Sequence, residues 1–206
     1  MKPLKLPPTV NTPDIELYAN NEVVCQAIIK RHNSKVVEGY TVDVNVGGGI
    51  YKYYAEINID NDRLWLLFKY IVIGFTGEVA LIYHHRDFEP SYGCYLDKYV
   101  LLNGVEKYEK ELVEDGNLMF GVTHQSDDDS VFEEVFIHRT KYIQCWGMNI
   151  DKFKGIMEKF ELYQVDGLNF VGEFPLETVP LTLLFPDCID TLELIEVFDD
   201  LYKSGK

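Results

Sequence analysis

Apolar and polar positions alternate cleanly from Tyr40 to Val46, where Val42, Val44 and Val46 stand against Thr41, Asp43 and Asn45. A second strand runs from Ile50 to Ile59. Period-two alternation puts one set of side chains on each face of a sheet, so the two runs read as a β-hairpin. Its turn falls on Gly47-Gly48-Gly49, where glycine tolerates the positive φ of a tight connection. Asn61-Asp62 then offers a cap for a helix carrying Leu64, Leu67, Phe68 and Ile71 on one face. Val79 to Tyr83 reads as a buried strand. Asn103-Gly104-Val105-Glu106 has the form of a capping box, opening a helix lined by Val105, Tyr108 and Leu112 and stopped by Asp115-Gly116.

Leu118 to Thr123 and Val131 to Ile137 read as strands joined by the polar loop Gln125 to Ser130, with Tyr142 to Trp146 extending the sheet. Phe153, Ile156, Met157 and Phe160 share the buried side of a further helix, and Leu168 to Val171 has the look of another strand. In the C-terminal helix, Leu194, Ile195, Phe198, Leu201 and Tyr202 fall on one side and Glu193, Glu196, Asp199 and Asp200 on the other. Asp187 and Asp190 suit the positive end of its macrodipole. Residues 15–30 fit neither period, and strand is the nearer of the two. The mixed order predicts an α+β fold: a largely antiparallel or mixed sheet with about four helices packed mainly on one face. Residues 1–14, with Pro3, Pro7, Pro8 and Pro13, read as an extended or flexible arm before a single globular domain at 15–206.

Charge changes this picture. Residues 1–76 carry eight Lys/Arg and eight Asp/Glu, whereas residues 77–206 carry 11 against 26, so the whole net charge of −15 falls in the second part. A field of that sign repels nucleic acid and anionic lipid and favours a basic partner. The densest acids lie in residues 104–134, ten Asp/Glu against two Lys/Arg, and in the C-terminal helix. Candidate partner-binding residues are therefore Asp127, Asp128, Asp129, Glu133, Glu134, Glu193, Glu196 and Asp200, whose carboxylates can imitate phosphates toward a nucleic-acid-binding enzyme. The alternative for the same acids is a solvated face that maintains solubility.

Chemical motifs are sparse. Gly47-Gly48-Gly49 lacks the Lys-Ser/Thr of a P-loop and precedes a strand. Asn58 to Asp62 opens like a calcium loop, but Arg63 and Lys69 occupy the positions of its glycine and its bidentate glutamate. His84, His85 and Asp87, with His124 at another strand end, are the candidates for a metal-dependent or acid/base hydrolase; His138 also ends a strand. No HxH or HExxH spacing joins them. Cys25, Cys94, Cys145 and Cys188 form no CxxC pair and read as reduced, mostly buried thiols. No cofactor or metal is expected. Neither a secretory signal nor a membrane-length apolar run occurs, so the expected compartment is the cytoplasm.

In size, acidity, Tyr/Phe content and segments such as Gly77-Glu78-Val79-Ala80-Leu81-Ile82-Tyr83 and Asn169-Phe170-Val171-Gly172-Glu173-Phe174-Pro175, the chain resembles the small acidic immunity proteins of bacterial polymorphic-toxin and contact-dependent inhibition systems. The resemblance implies a non-enzymatic inhibitor that caps a basic secreted toxin, often a nuclease. It contains no diagnostic motif, so no functional residue is carried over. A regulatory or structural domain remains the third expectation.

Overall fold

The computed structural model describes residues 2–44, 50–128 and 130–203. In chain order its elements are β1 (Val10–Asn11), α1 (Glu22–His32), β2 (Gly39–Val44), β3 (Tyr53–Asn58), α2 (Asn61–Ile73), β4 (Ala80–His85), β5 (Ser91–Tyr92), α3 (Lys98–Val105), α4 (Glu109–Glu114), β6 (Leu118–Gln125), β7 (Phe132–Ile137), β8 (Ile143–Gly147), α5 (Ile150–Lys159), β9 (Glu177–Thr178), α6 (Leu181–Leu184) and α7 (Thr191–Phe198). Seven strands form one antiparallel sheet in the order β2-β3-β8-β7-β6-β4-β5, and β1 pairs with β9 apart from it. The α+β class stands, with more helices than the four expected. The β2–β3 hairpin pairs as its alternation predicts, while Gly47-Gly48-Gly49 lies outside the described residues.

Alternation decides which face is core. Ala55, Ile57, Ile137, Val135, Ile143, Cys145, Phe120 and Val122 all point to the side where the helices lie, and all are buried. Helix α2 packs there through Phe68 on Phe120, with ring centroids 5.0 Å apart. Helix α5 sets Phe153 between Tyr40 and Tyr53 at 5.3 and 5.0 Å, and α7 sets Phe198 on Tyr83 at 5.4 Å. Each such side chain contributes about 1.5–3 kcal/mol by leaving water.

Four expectations need correction. Residues 22–32 are helical, not strand: Asn21 caps α1 by accepting from the Val24 amide at 3.2 Å, and only Ile28 of the helix is buried, so a one-residue stripe left no period to read. The helix expected to open at Asn103 opens at Asp97, whose Oδ1 accepts from the Tyr99 and Val100 amides; Asn103 sits inside α3. The stop at Asp115-Gly116 is where expected. Leu168 to Val171 is no strand but leads into a 3₁₀ turn, with Leu168 and Phe170 packing beside Val37 in a small second cluster. After Phe198 the last turn widens into a π-turn at Asp199–Lys203, so the 100° step no longer holds: Tyr202 stays buried while Leu201 turns outward, 51% exposed.

The proline-bearing N-terminal residues run extended along the body. Pro3 bridges to Val37, the Lys5 amide donates to Asp60 at 2.7 Å, and Thr9 is buried, accepting from the Gly116 amide at 2.9 Å and donating to the Glu114 carbonyl.

Candidate functional site

The histidines do not converge. His84 and His85 alternate to opposite faces of β4. The β4–β6 register pairs His84 with Met119, which puts His124 five residues, about 17 Å, toward the other end of the sheet. Each of the three is engaged through Nδ1. His84 Nδ1 donates to the Phe88 carbonyl at 2.9 Å, His124 Nδ1 to the Glu78 carbonyl at 2.6 Å, and His85 Nδ1 accepts from the Asp87 amide at 3.2 Å. Asp87 itself is exposed beside Arg86, at 3.5 Å. His138 shares a face and an end with His84, and burial together with Arg139 and Lys141 lowers its pKa to about 4. Among the described residues no three His, Cys, Asp or Glu side chains gather as metal ligands would. Cys145 is buried and its thiol is pushed up to about 12, so it offers no thiolate.

The acids divide between two sides of the molecule. Glu193, Glu196 and Asp200 are exposed on the outer surface of the helical layer, because α7 docks by Leu194 and Phe198. Glu106 and Glu111 belong to that layer too: Glu106 pairs with Lys69 at 2.6 Å, and Glu111 accepts from the Ile189 amide at 3.2 Å. At the β6–β7 turn, Asp127 and Asp128 are exposed. Asp128 accepts from both Ser126 and Ser130 hydroxyls, at 2.7 and 2.6 Å, which pulls its carboxyl down to about 2. Asp129 lies outside the described residues. Glu133 is buried on the core face, where its Oε2 accepts from the Thr76 amide and hydroxyl at 2.6 and 2.9 Å; it is a fastening of the fold, out of a partner's reach. Glu134 points the other way.

That other way is the second face of the sheet, and the aromatic side chains there were not singled out by motif. The registers align Asp43, Tyr54, Trp146, Glu134 and Thr123 in one row, and Thr41, Glu56, Gln144, Phe136, Gly121 and Ile82 in the next. Tyr54 and Trp146 pack at 5.0 Å, and Gln144 Nε2 donates to the Tyr54 hydroxyl at 2.9 Å. Phe136 lies over Gly121, where a methyl group would meet both its ring and the Val135 carbonyl. Tyr54, Glu56, Glu134, Phe136, Gln144 and Trp146 all remain partly open to solvent. Burial raises the pKa of Glu134 despite a hydrogen bond with Thr123, and burial with the adjoining Glu56 raises that of Tyr54. A signal did exist in the sequence: Phe132-Glu133-Glu134-Val135-Phe136 and Gln144-Cys145-Trp146 place large aromatics on the face that alternation assigns to solvent.

Chemically the array offers flat π-surfaces flanked by carboxylates, a combination suited to guanidinium and ammonium groups. None of the Lys and Arg residues occupies the two aligned rows. No family model, curated protein or solved structure matches the chain. No helix among the described residues is long and apolar enough to cross a membrane.

Proposed function

We propose that this protein is a non-enzymatic inhibitor of the immunity kind, which binds a basic protein partner in the cytoplasm through the second face of its sheet. The observation that carries the reading is the Tyr54–Trp146 platform with Glu56 and Glu134 beside it. Aromatic and carboxylate groups together reward Arg and Lys of a partner, and cation–π contacts contribute about 0.5–2 kcal/mol each. The charge supports it further. Among the described residues, Lys or Arg partners are found for six carboxylates, those of Glu38, Asp60, Asp62, Glu106, Asp87 and Asp199, against 34 Asp/Glu in the chain. The remaining acids on the helical layer and at Asp127 steer a cationic partner toward the molecule without touching it. A hydrolase reading has less behind it: of its candidates only His85 and Asp87 come together, at 3.7 Å, while His84 and His124 lie toward opposite ends of the sheet.

The test is whether the reading frame beside this chain encodes a protein with a basic C-terminal domain, and then binding to that domain as surface-immobilised protein at 50 and 300 mM NaCl. Trp146→Ala and Glu134→Gln are each expected to weaken binding at least tenfold through faster dissociation. Glu193→Gln with Glu196→Gln is expected to slow association only. If Trp146→Ala binds as the parent does, or the neighbouring domain does not bind at low salt, this assignment is wrong.

A further inference from the structure

Where the N-terminal residues cross the end of α1, they leave a cavity of about 430 Å³ with Leu4, Leu6, Val36 and Val37 among its walls and Arg31 lining it. The walls are fastened: Pro3 bridges to Val37, the Leu4 amide donates to the Val36 carbonyl at 3.2 Å, and the Ser34 hydroxyl donates to the Arg31 carbonyl at 2.6 Å. Of the other three arginines, Arg139 is exposed and two have carboxylate partners. Arg63 pairs with Glu38 and Arg86 with Asp87. Among the described residues Arg31 has no carboxylate and no hydrogen-bond acceptor; its Nη1 is sealed from solvent and so beyond a ligand's reach, whereas Nε and Nη2 are not sealed. Burial lowers its pKa accordingly.

Arg31 is the one arginine that is part-buried without an acceptor among the described residues. A partly desolvated guanidinium is unfavourable, and an anion brought beside its reachable Nε and Nη2 gives it charge-assisted partners. We infer that this cavity is a binding site for a small organic monocarboxylate, with Arg31 holding the carboxylate and the apolar walls holding its hydrocarbon body. Its volume falls within the range of small-molecule sites. The site favours a single negative charge over two. It offers one guanidinium, it lies at the C-terminal, partially negative end of α1, and it belongs to a protein of net charge −15. His32 also lines it, with Nδ1 donating to the Ile28 carbonyl at 2.9 Å and Nε2 left free for a second contact.

Calorimetric titration of the full chain with hexanoate, phenylacetate, hexanol and inorganic phosphate tests this. The expected result is saturable binding of hexanoate or phenylacetate, weakened at least tenfold by Arg31→Gln and less by Arg31→Lys, with hexanol and phosphate much weaker. Equal binding of hexanol would reduce the site to an apolar cleft and overturn the assignment, as would phosphate binding as tight as hexanoate or no binding of either carboxylate. Should Arg31→Gln fail to fold, Leu6→Trp in the parent, which fills the cavity and keeps the guanidinium, must abolish hexanoate binding; if it does not, the site is elsewhere. Neither outcome depends on the sheet face or its partner.

Discussion

Lys141 is the residue whose position most constrains the chain's behaviour. It is 3% exposed, holds a positive φ of 60°, and its Nζ donates to the carbonyls of Leu112 and Leu118 at 2.9 and 2.8 Å, 5.7 Å from the Phe120 ring centroid. Burial lowers its pKa from 10.5 to about 7, with Asp115 opposing part of the fall. The folded chain therefore binds fewer protons here than the unfolded chain at any pH between 7 and 10.5. Stability from this group is complete above the upper value and is lost as pH falls toward the lower one, with a slope of up to about 1.4 kcal/mol per pH unit. Cys145, pushed up to about 12 from 9, acts in the opposite sense above pH 9, so the clean window is pH 7 to 9. Urea unfolding should show stability rising across that window in the parent and markedly less in Lys141→Met. On the acid side His138, lowered from 6.5 to about 4, makes stability fall as pH drops through that interval. An unchanged pH 7–9 slope in Lys141→Met would show that Lys141 is charged when folded. Nothing around Lys141 in the sequence distinguishes it from a surface lysine, because its burial depends on α4 and β6, more than 20 residues away.

Among the elements, those whose own residues carry a strong period were legible and those fixed by distant contacts were not. Alternation located β3, β6, β7 and β8, and the three-four spacing of Leu64, Leu67, Phe68 and Ile71 located α2, since in each case one face is buried throughout. The start of α3 was misplaced because Asn103 to Glu106 imitates a cap, while Asp97 follows a β-bridge that only the folded sheet supplies, Val79 to Leu96. The two positions make a direct comparison. Asp97→Ala removes acceptors from two amides and is expected to destabilise by about 1 kcal/mol. Asn103→Ala replaces an exposed, poor helix former inside α3 and should be neutral or stabilising by a few tenths of a kcal/mol. Urea midpoints of the two variants check this, and a larger loss at Asn103 would move the helix start back to it. The candidate site followed the same division. Acid density was readable from composition, but whether an acid serves the core, as Glu133 does, or an open face, as Glu134 does, turns on one step of strand parity.

At the scale of the whole molecule, acids stand on both sides of the sheet, so the net charge of −15 acts as a field around the fold and not as one patch. Self-repulsion of that size opposes compaction, and salt screens it over a distance of about 10 Å at 0.1 M. Raising NaCl from 20 to 300 mM should therefore raise the melting temperature by about 2–4 °C, the shift that about 1 kcal/mol produces in a chain of this length. Glu193→Lys with Glu196→Lys separates this from general salt effects: each reversal adds two charges, bringing −15 to −11, and both sites are exposed without structural partners to lose. The double variant should be at least as stable as the parent at low salt and should gain less from added salt; an identical salt response would locate the effect outside the charge. The same variant separates steering from contact in partner binding. Because α7 faces away from Tyr54, Trp146 and Glu134, charge reversal there alters the long-range attraction but none of the proposed contacts. Association with a basic partner should slow several-fold at low salt and recover toward the parent's rate at high salt, while dissociation stays the same. A change in dissociation instead would bring the helical layer into the interface and take the sheet face out of its central place.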